Sequence, residues 1–122
     1  MKQKQNWKVF ELAFSQQKLV FELTKSFPKE ELYSLTSQIR RSSRSVYSAL
    51  AEAYRKTMYQ PHLLLKLSDA DSENSETSGW MDIAVSCGYL TEEELAEIRQ
   101  LNLQIGNLLN YMIHNVEEFR FR

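Results

Sequence analysis

Apolar and small residues recur at alternating steps of three and four along four separate segments of this chain. That spacing is what a helix with one buried stripe requires, and it restricts the fold more than any other feature of the sequence. In the first segment, about residues 6–26, the stripe is Trp7, Phe10, Phe14, Gln17, Phe21 and Thr24, widened by Val9, Ala13 and Val20. The second, about 28–58, carries Leu32, Leu35, Ile39, Ser42, Val46, Ala49 and Ala53. The third, about 61–87, carries Leu63, Leu67, Ala70, Asn74, Thr77, Met81 and Ala84, and the fourth, about 91–118, carries Leu95, Ile98, Asn102, Ile105, Leu109, Met112, Val116 and Phe119. Short connections between such segments predict an all-α, antiparallel up-down four-helix bundle, a single domain spanning 1–122 with fraying expected at 1–5 and 120–122.

The punctuation agrees with the period. Three Gly and two Pro in 122 residues are too few for the many turns of a sandwich or barrel. Pro28 suits the first turn of the second helix, with Glu30 and Glu31 near the positive end of its dipole, and Pro61 marks the break before the third. Gly88 fits a left-handed C-cap, and Thr91 with Glu94 three residues later forms a capping box. One stretch pulls the other way. SDADSENSETSG, residues 68–79, has the composition of a linker, yet the three-four spacing runs through it at Ala70, Asn74 and Thr77. The period predicts a continuous third helix with a polar middle, its Ser68, Ser72, Ser75 and Gly79 admitting a neighbouring helix at close range.

Catalytic chemistry finds few convergent groups. His62 and His114 stand near helix ends without a carboxylate or cysteine at metal-ligand spacing. Asp69, Asp71 and Glu73 alternate as in a calcium loop, but Asn74 and Trp80 stand where such a loop needs glycine and glutamate. Cys87 sits by the negative end of a helix dipole, which disfavours a thiolate and points to a core or interface thiol. No metal, no cofactor and no enzymatic activity are expected. The start has no apolar run for a signal peptide, and no stretch approaches the roughly 18 apolar residues of a membrane span, so a cytoplasmic protein is the default.

The charge is unevenly placed. The formal net charge is −1, yet residues 1–60 hold eleven Lys and Arg against five Asp and Glu, whereas 61–122 hold four against eleven. Within LTSQIRRSSRSVYSALAEAYRK, residues 35–56, Arg41 and Arg44 share a helix face with Ser48 and Arg55, while Arg40 lies at the edge of the stripe. That face reads three ways: solvated, ion-paired, or matched to a phosphate backbone. Glu76 lies beside the stripe of the third helix and Glu52 follows the small-residue run of the second. The expectation is a structural ion pair of Glu76, with Glu52, to Arg40 or Arg41, buried enough that Glu76→Ala removes several kcal/mol.

Several stretches together resemble one known family. These are Lys8-Val9-Phe10 with Ala13, Leu23-Thr24-Lys25, Phe27-Pro28-Lys29-Glu30-Glu31, Leu35-Thr36-Ser37-Gln38-Ile39-Arg40-Arg41, Ala51-Glu52, Glu76, and Gly88-Tyr89-Leu90-Thr91-Glu92-Glu93-Glu94. Over about residues 7–115 the chain resembles the four-helix-bundle family of 23S ribosomal RNA intervening-sequence proteins, related to accessory proteins of diversity-generating retroelements. Tyr47, Ala49 and Ala53 depart from the family's usual Pro, Asn and Gly, which favours a straighter second helix. The resemblance implies a homo-oligomer, a ring of five bundles, and relatives that bind nucleic acid and a reverse transcriptase. A basic first half against a neighbour's acidic second half gives a head-to-tail contact its own mechanism. Two functional expectations stay open. One is a non-enzymatic ring scaffold binding RNA or a ribonucleoprotein through Arg41, Arg44, Arg55 and Lys56. The other is a protein-binding adaptor that binds no nucleic acid.

Overall fold

A computed structural model describes residues 7–120, and all regular structure among them is helical. The helices are α1 (Lys8–Thr24), α2 (Leu35–Tyr54), α3 (Gln60–Ser86) and α4 (Glu92–His114), with short 3-10 turns at Lys29–Glu31 and Val116–Phe119. Residue 6 of the expected first helix, and the ends expected to fray apart from Arg120, lie outside the described residues. Arg120 is held, donating from Nη2 to the Met58 carbonyl and from Nη1 to Glu117. Neighbours in sequence pack side by side and α4 closes against α1, with the broadest contact between α2 and α3. The rings show the antiparallel order. Trp7, at the start of α1, meets Tyr54 at the end of α2 and Phe119 beyond the end of α4.

The expected second helix breaks where the sequence suggested continuity. Pro28 opens only a 3-10 turn, and Ser34 adopts φ −128 and ψ −102 before α2 begins. Glu31 governs that bend. One carboxylate oxygen accepts from Ser34 Oγ at 2.6 Å and from the Leu35 N–H at 3.3 Å, so it serves the open N-terminus of α2. The turn puts Leu35 into the core and leaves Leu32, an expected stripe residue, 45% exposed. The other Glu31 oxygen accepts from Tyr89 Oη at 2.8 Å, bolting the first connection to the third. That bond to a carboxylate, aided by burial, pushes the Tyr89 pKa up to about 12, while bonds from Ser34 and Tyr89 hold Glu31 below its ordinary value.

Residues 68–79 are helical throughout, and the buried residues of α3 are Leu63, Leu67, Ala70, Asn74, Thr77, Met81 and Ala84, as the period requires. The small residues are placed otherwise than expected. Ser68, Ser72, Ser75 and Gly79 all face solvent, and nothing lies within 4 Å of a Cβ built on Gly79. Close approach of α2 and α3 comes instead from the buried Ser42, Ala49, Ala53, Ala70 and Thr77. At the end of α3, Gly88 takes φ +77 and Tyr89 N–H returns to the Ala84 carbonyl, the Schellman arrangement. The capping box of α4 is present on both arms, Thr91 Oγ1 accepting from Glu94 N–H and Glu94 from Thr91 N–H.

A polar layer divides the core. Below it cluster Trp7, Val9, Phe10, Ala13, Leu50, Leu67 and Leu109 with their neighbours; above it cluster Val20, Ile39, Met81, Leu95 and Ile98 with theirs. Between them Gln16 Nε2 donates to Asn74 Oδ1 at 3.2 Å, and Asn74 Nδ2 donates to the Asn102 carbonyl at 3.0 Å. Asn102 Nδ2 donates back to Gln16 Oε1 at 2.9 Å and to the Asn74 carbonyl at 3.0 Å. Ser42 and Thr77 hydroxyls meet at 2.8 Å and extend polarity from α3 to α2. Burying amides is tolerable here because they satisfy one another. This layer rotates α1 relative to its expected stripe: Gln16 is buried, Gln17 is not, and Phe14 is 53% exposed against Tyr47.

Candidate nucleic-acid interface

The outer face of α2 near its N-terminus, with the facing edge of α1, gathers cations and rings. The Arg40 guanidinium lies 4.7 Å from the Phe21 ring centroid, that of Arg44 5.8 Å, and Lys25 Nζ 5.0 Å. Each cation is within the range at which the quadrupole of an aromatic face attracts it, and Lys25 also pairs with Glu22 at 3.2 Å. Arg40 Nε also donates to Thr24 Oγ1 at 2.8 Å. Neither Arg40 nor Arg44 has a carboxylate partner among the described residues. Beside them runs an open groove of about 590 Å³ bounded by Tyr33, Thr36, Arg40, Arg41, Arg44 and Ser48.

Arg41 is differently disposed. It reaches across to α3, where Nη1 meets Glu73 at 3.2 Å and Nη2 meets Glu76, while Nε donates to Gln38. Trp80 Nε1 donates to the same Glu76 oxygen at 3.0 Å. Burial pulls the Arg41 pKa down, but the bonds to Glu76 and Glu73 outweigh it and hold it above its ordinary value. The expected structural pair is thus made by Arg41, with Arg40 turned toward Thr24 and Phe21. Glu52 takes no part, since it faces Lys66 of α3 at 3.5 Å.

The pair also sits at the surface. Side-chain exposure is 44% for Arg41 and 39% for Glu76, so water screens it and the several kcal/mol expected of a buried pair is too large. Glu76→Ala is expected to cost about 1 kcal/mol or less, read from the midpoint shift in urea unfolding. A loss of several kcal/mol would show that the Glu76–Trp80 bond carries more than its exposure allows.

The four residues predicted to contact a partner do not form one strip. Arg44 stays with Arg40 at the N-terminal part of α2. Arg55 follows the last residue of α2, some eleven residues on, about 16 Å along a helix axis. Lys56 lines a separate depression with His62, Leu65 and Lys66. Sequence reasoning missed Phe21, Lys25 and Tyr33 as members of the face. Phe21 reads as a core residue by spacing, and only the shift of α1 toward Gln16 turns it to the rim. Elsewhere the polar residues weighed for chemistry are accounted for by packing. His62 stacks edge-on to Tyr59 and Asp69 pairs with Lys66. Cys87 is exposed, so it is not the core thiol that was one of its two expected places. Among the described residues no group of His, Cys, Asp and Glu could hold a metal ion, and no helix is long and apolar enough to cross a membrane.

Comparison with known proteins gives a family and a fold. The family described as 23S rRNA-intervening sequence protein matches residues 5–111. The structure superposes with a TM-score of 0.79 on a crystal structure from Bacteroides thetaiotaomicron, described as a protein with unknown function from the S23 ribosomal protein family. The two are 24% identical, over 93% of this chain and 99% of that one, a likeness that speaks to fold alone. No curated protein matches the chain.

Proposed function

The chain belongs to the 23S rRNA-intervening sequence protein family, and from that premise we propose that it is a non-catalytic, self-associating cytoplasmic scaffold that binds RNA or a ribonucleoprotein through the α1–α2 face. The observation that carries this reading is the placement of Arg40 and Arg44. Both are cations without a carboxylate partner among the described residues, resting on Phe21 beside an open groove. Arg44 takes the leading role among the residues singled out from sequence. Arg41 is partly neutralised by Glu73 and Glu76, and Arg55 and Lys56 form a secondary contact. The unequal charge of the two halves supports head-to-tail association, and the family resemblance suggests five subunits.

The test is a titration of a hairpin RNA at several salt concentrations, with light scattering on the same sample. Affinity is expected to fall steeply with salt. Arg40→Ala/Arg44→Ala should reduce the salt slope by about 1.5, whereas Arg41→Ala reduces it by less. A lone 14.4 kDa species at moderate salt would refute self-association. Absence of RNA binding at low salt would favour the second reading, a protein-binding adaptor. Met58, Tyr59 and Leu65, exposed at the α2–α3 end beside Lys56, support that alternative.

A further inference from the structure

We infer that the α2 groove seats an unpaired nucleotide, its base stacked on Tyr33 and its phosphates on Arg40 and Arg44, so that this face selects single-stranded over duplex RNA. The inference rests on the RNA-binding reading above and narrows it to a class of ligand. Tyr33 is 91% exposed and makes no ring contact with a described residue. It stands in the bend that Glu31 holds before α2, at the mouth of the groove. An aromatic face presented this way offers a stacking surface to any base that is not already stacked on its neighbours. Bases in an A-form duplex are so stacked, and the duplex offers proteins its backbone and shallow minor groove, not the base faces.

A second, independent observation comes from inside the groove. Thr36 lines it, is only 3% exposed, and its Oγ1 has no hydrogen-bond partner among the described residues. A buried hydroxyl left unpaired is unfavourable, and most such groups in folded proteins find a partner. That oxygen is enclosed beneath the groove wall, and a turn of the side chain toward the groove lets a phosphate oxygen or a ribose 2′-hydroxyl seated there supply the missing bond. Arg40 and Arg44, four residues apart and so one turn apart on α2, place two guanidiniums along the path of a backbone leaving Tyr33. Phe21 beneath them fixes their heads without neutralising them.

The test uses fluorescence anisotropy with a labelled unstructured RNA of twelve nucleotides and a twelve-base-pair RNA duplex, at low salt, on the full chain. The single strand is expected to bind more tightly. Tyr33→Ala should weaken it by about 5- to 100-fold and leave duplex binding unchanged, with Tyr33→Phe retaining the wild-type affinity. Arg44→Gln should weaken both RNAs. The side chain of Tyr33 is so exposed that its removal leaves the core intact, which far-ultraviolet dichroism verifies. Equal binding of both RNAs, with Tyr33→Ala without effect, overturns this inference and leaves RNA binding standing. Failure of both to bind overturns the two together.

Discussion

Asn74→Ala is expected to destabilise the bundle by about 3–5 kcal/mol, a larger loss than most surface ion pairs could cause. The side chain is the hub of the layer between the two core clusters. Its removal strands the fully buried Gln16 amide and takes a partner from both the amide and the carbonyl of Asn102. Each buried group left without a bond costs about 1–3 kcal/mol, and the space vacated adds to it. For a domain of this size the melting temperature should drop by roughly 10–20 °C. The informative companion is Gln16→Leu/Asn74→Leu/Asn102→Leu. Removing all partners at once avoids the stranded groups, and buried polar sets replaced by packed hydrophobes are often neutral or stabilising. A triple variant at least as stable as the parent, beside a badly destabilised Asn74→Ala, would show that the layer's worth lies in register, since only the native offset brings the three amides together. Equal destabilisation in both would mean that leucine does not fit there, and the register argument would fall.

Leu67→Ala and Ile98→Ala are each expected to remove about 2–5 kcal/mol. Both side chains are almost wholly enclosed, Leu67 in the cluster with Trp7 and Ile98 in the cluster with Val20. The two share no cluster, and the polar layer lies between them. Their effects should therefore add to within about 0.5 kcal/mol in the double variant, measured by urea unfolding with an unchanged slope. A biphasic transition, or a double variant much less stable than the sum, would show that the halves unfold separately and that the layer is a weak joint.

The period of the sequence carried α3 and α4 almost residue by residue, since the large and small apolar residues of these two helices fall on one spacing with no equivalent neighbour to compete for the inward position. Even the polar run at 68–79 obeyed it. Spacing served less well for α1, where Gln16 and Gln17 are adjacent and of one type. Which of them turns inward depends on Asn74 and Asn102, residues far along the chain, so no local pattern could decide it. The bend before α2 was missed for a related reason: the Glu31 carboxylate competes with the backbone for Ser34 and Leu35, and propensity treats it as an ordinary first-turn acid. For the candidate site, the arginines were visible as a run but their roles were not. Arg40 and Arg41 are neighbours in sequence and point to opposite flanks of α2, one to a ring on α1 and the other to carboxylates on α3.

Along its outward side α3 wears serine, aspartate and glycine, residues that do little to hold a spiral by themselves. Cut free as a peptide, that segment should be a random coil, since an isolated helix without strong formers is marginal at best. Its shape is therefore borrowed from α2 and α4, and any loosening of those contacts should melt it before the rest.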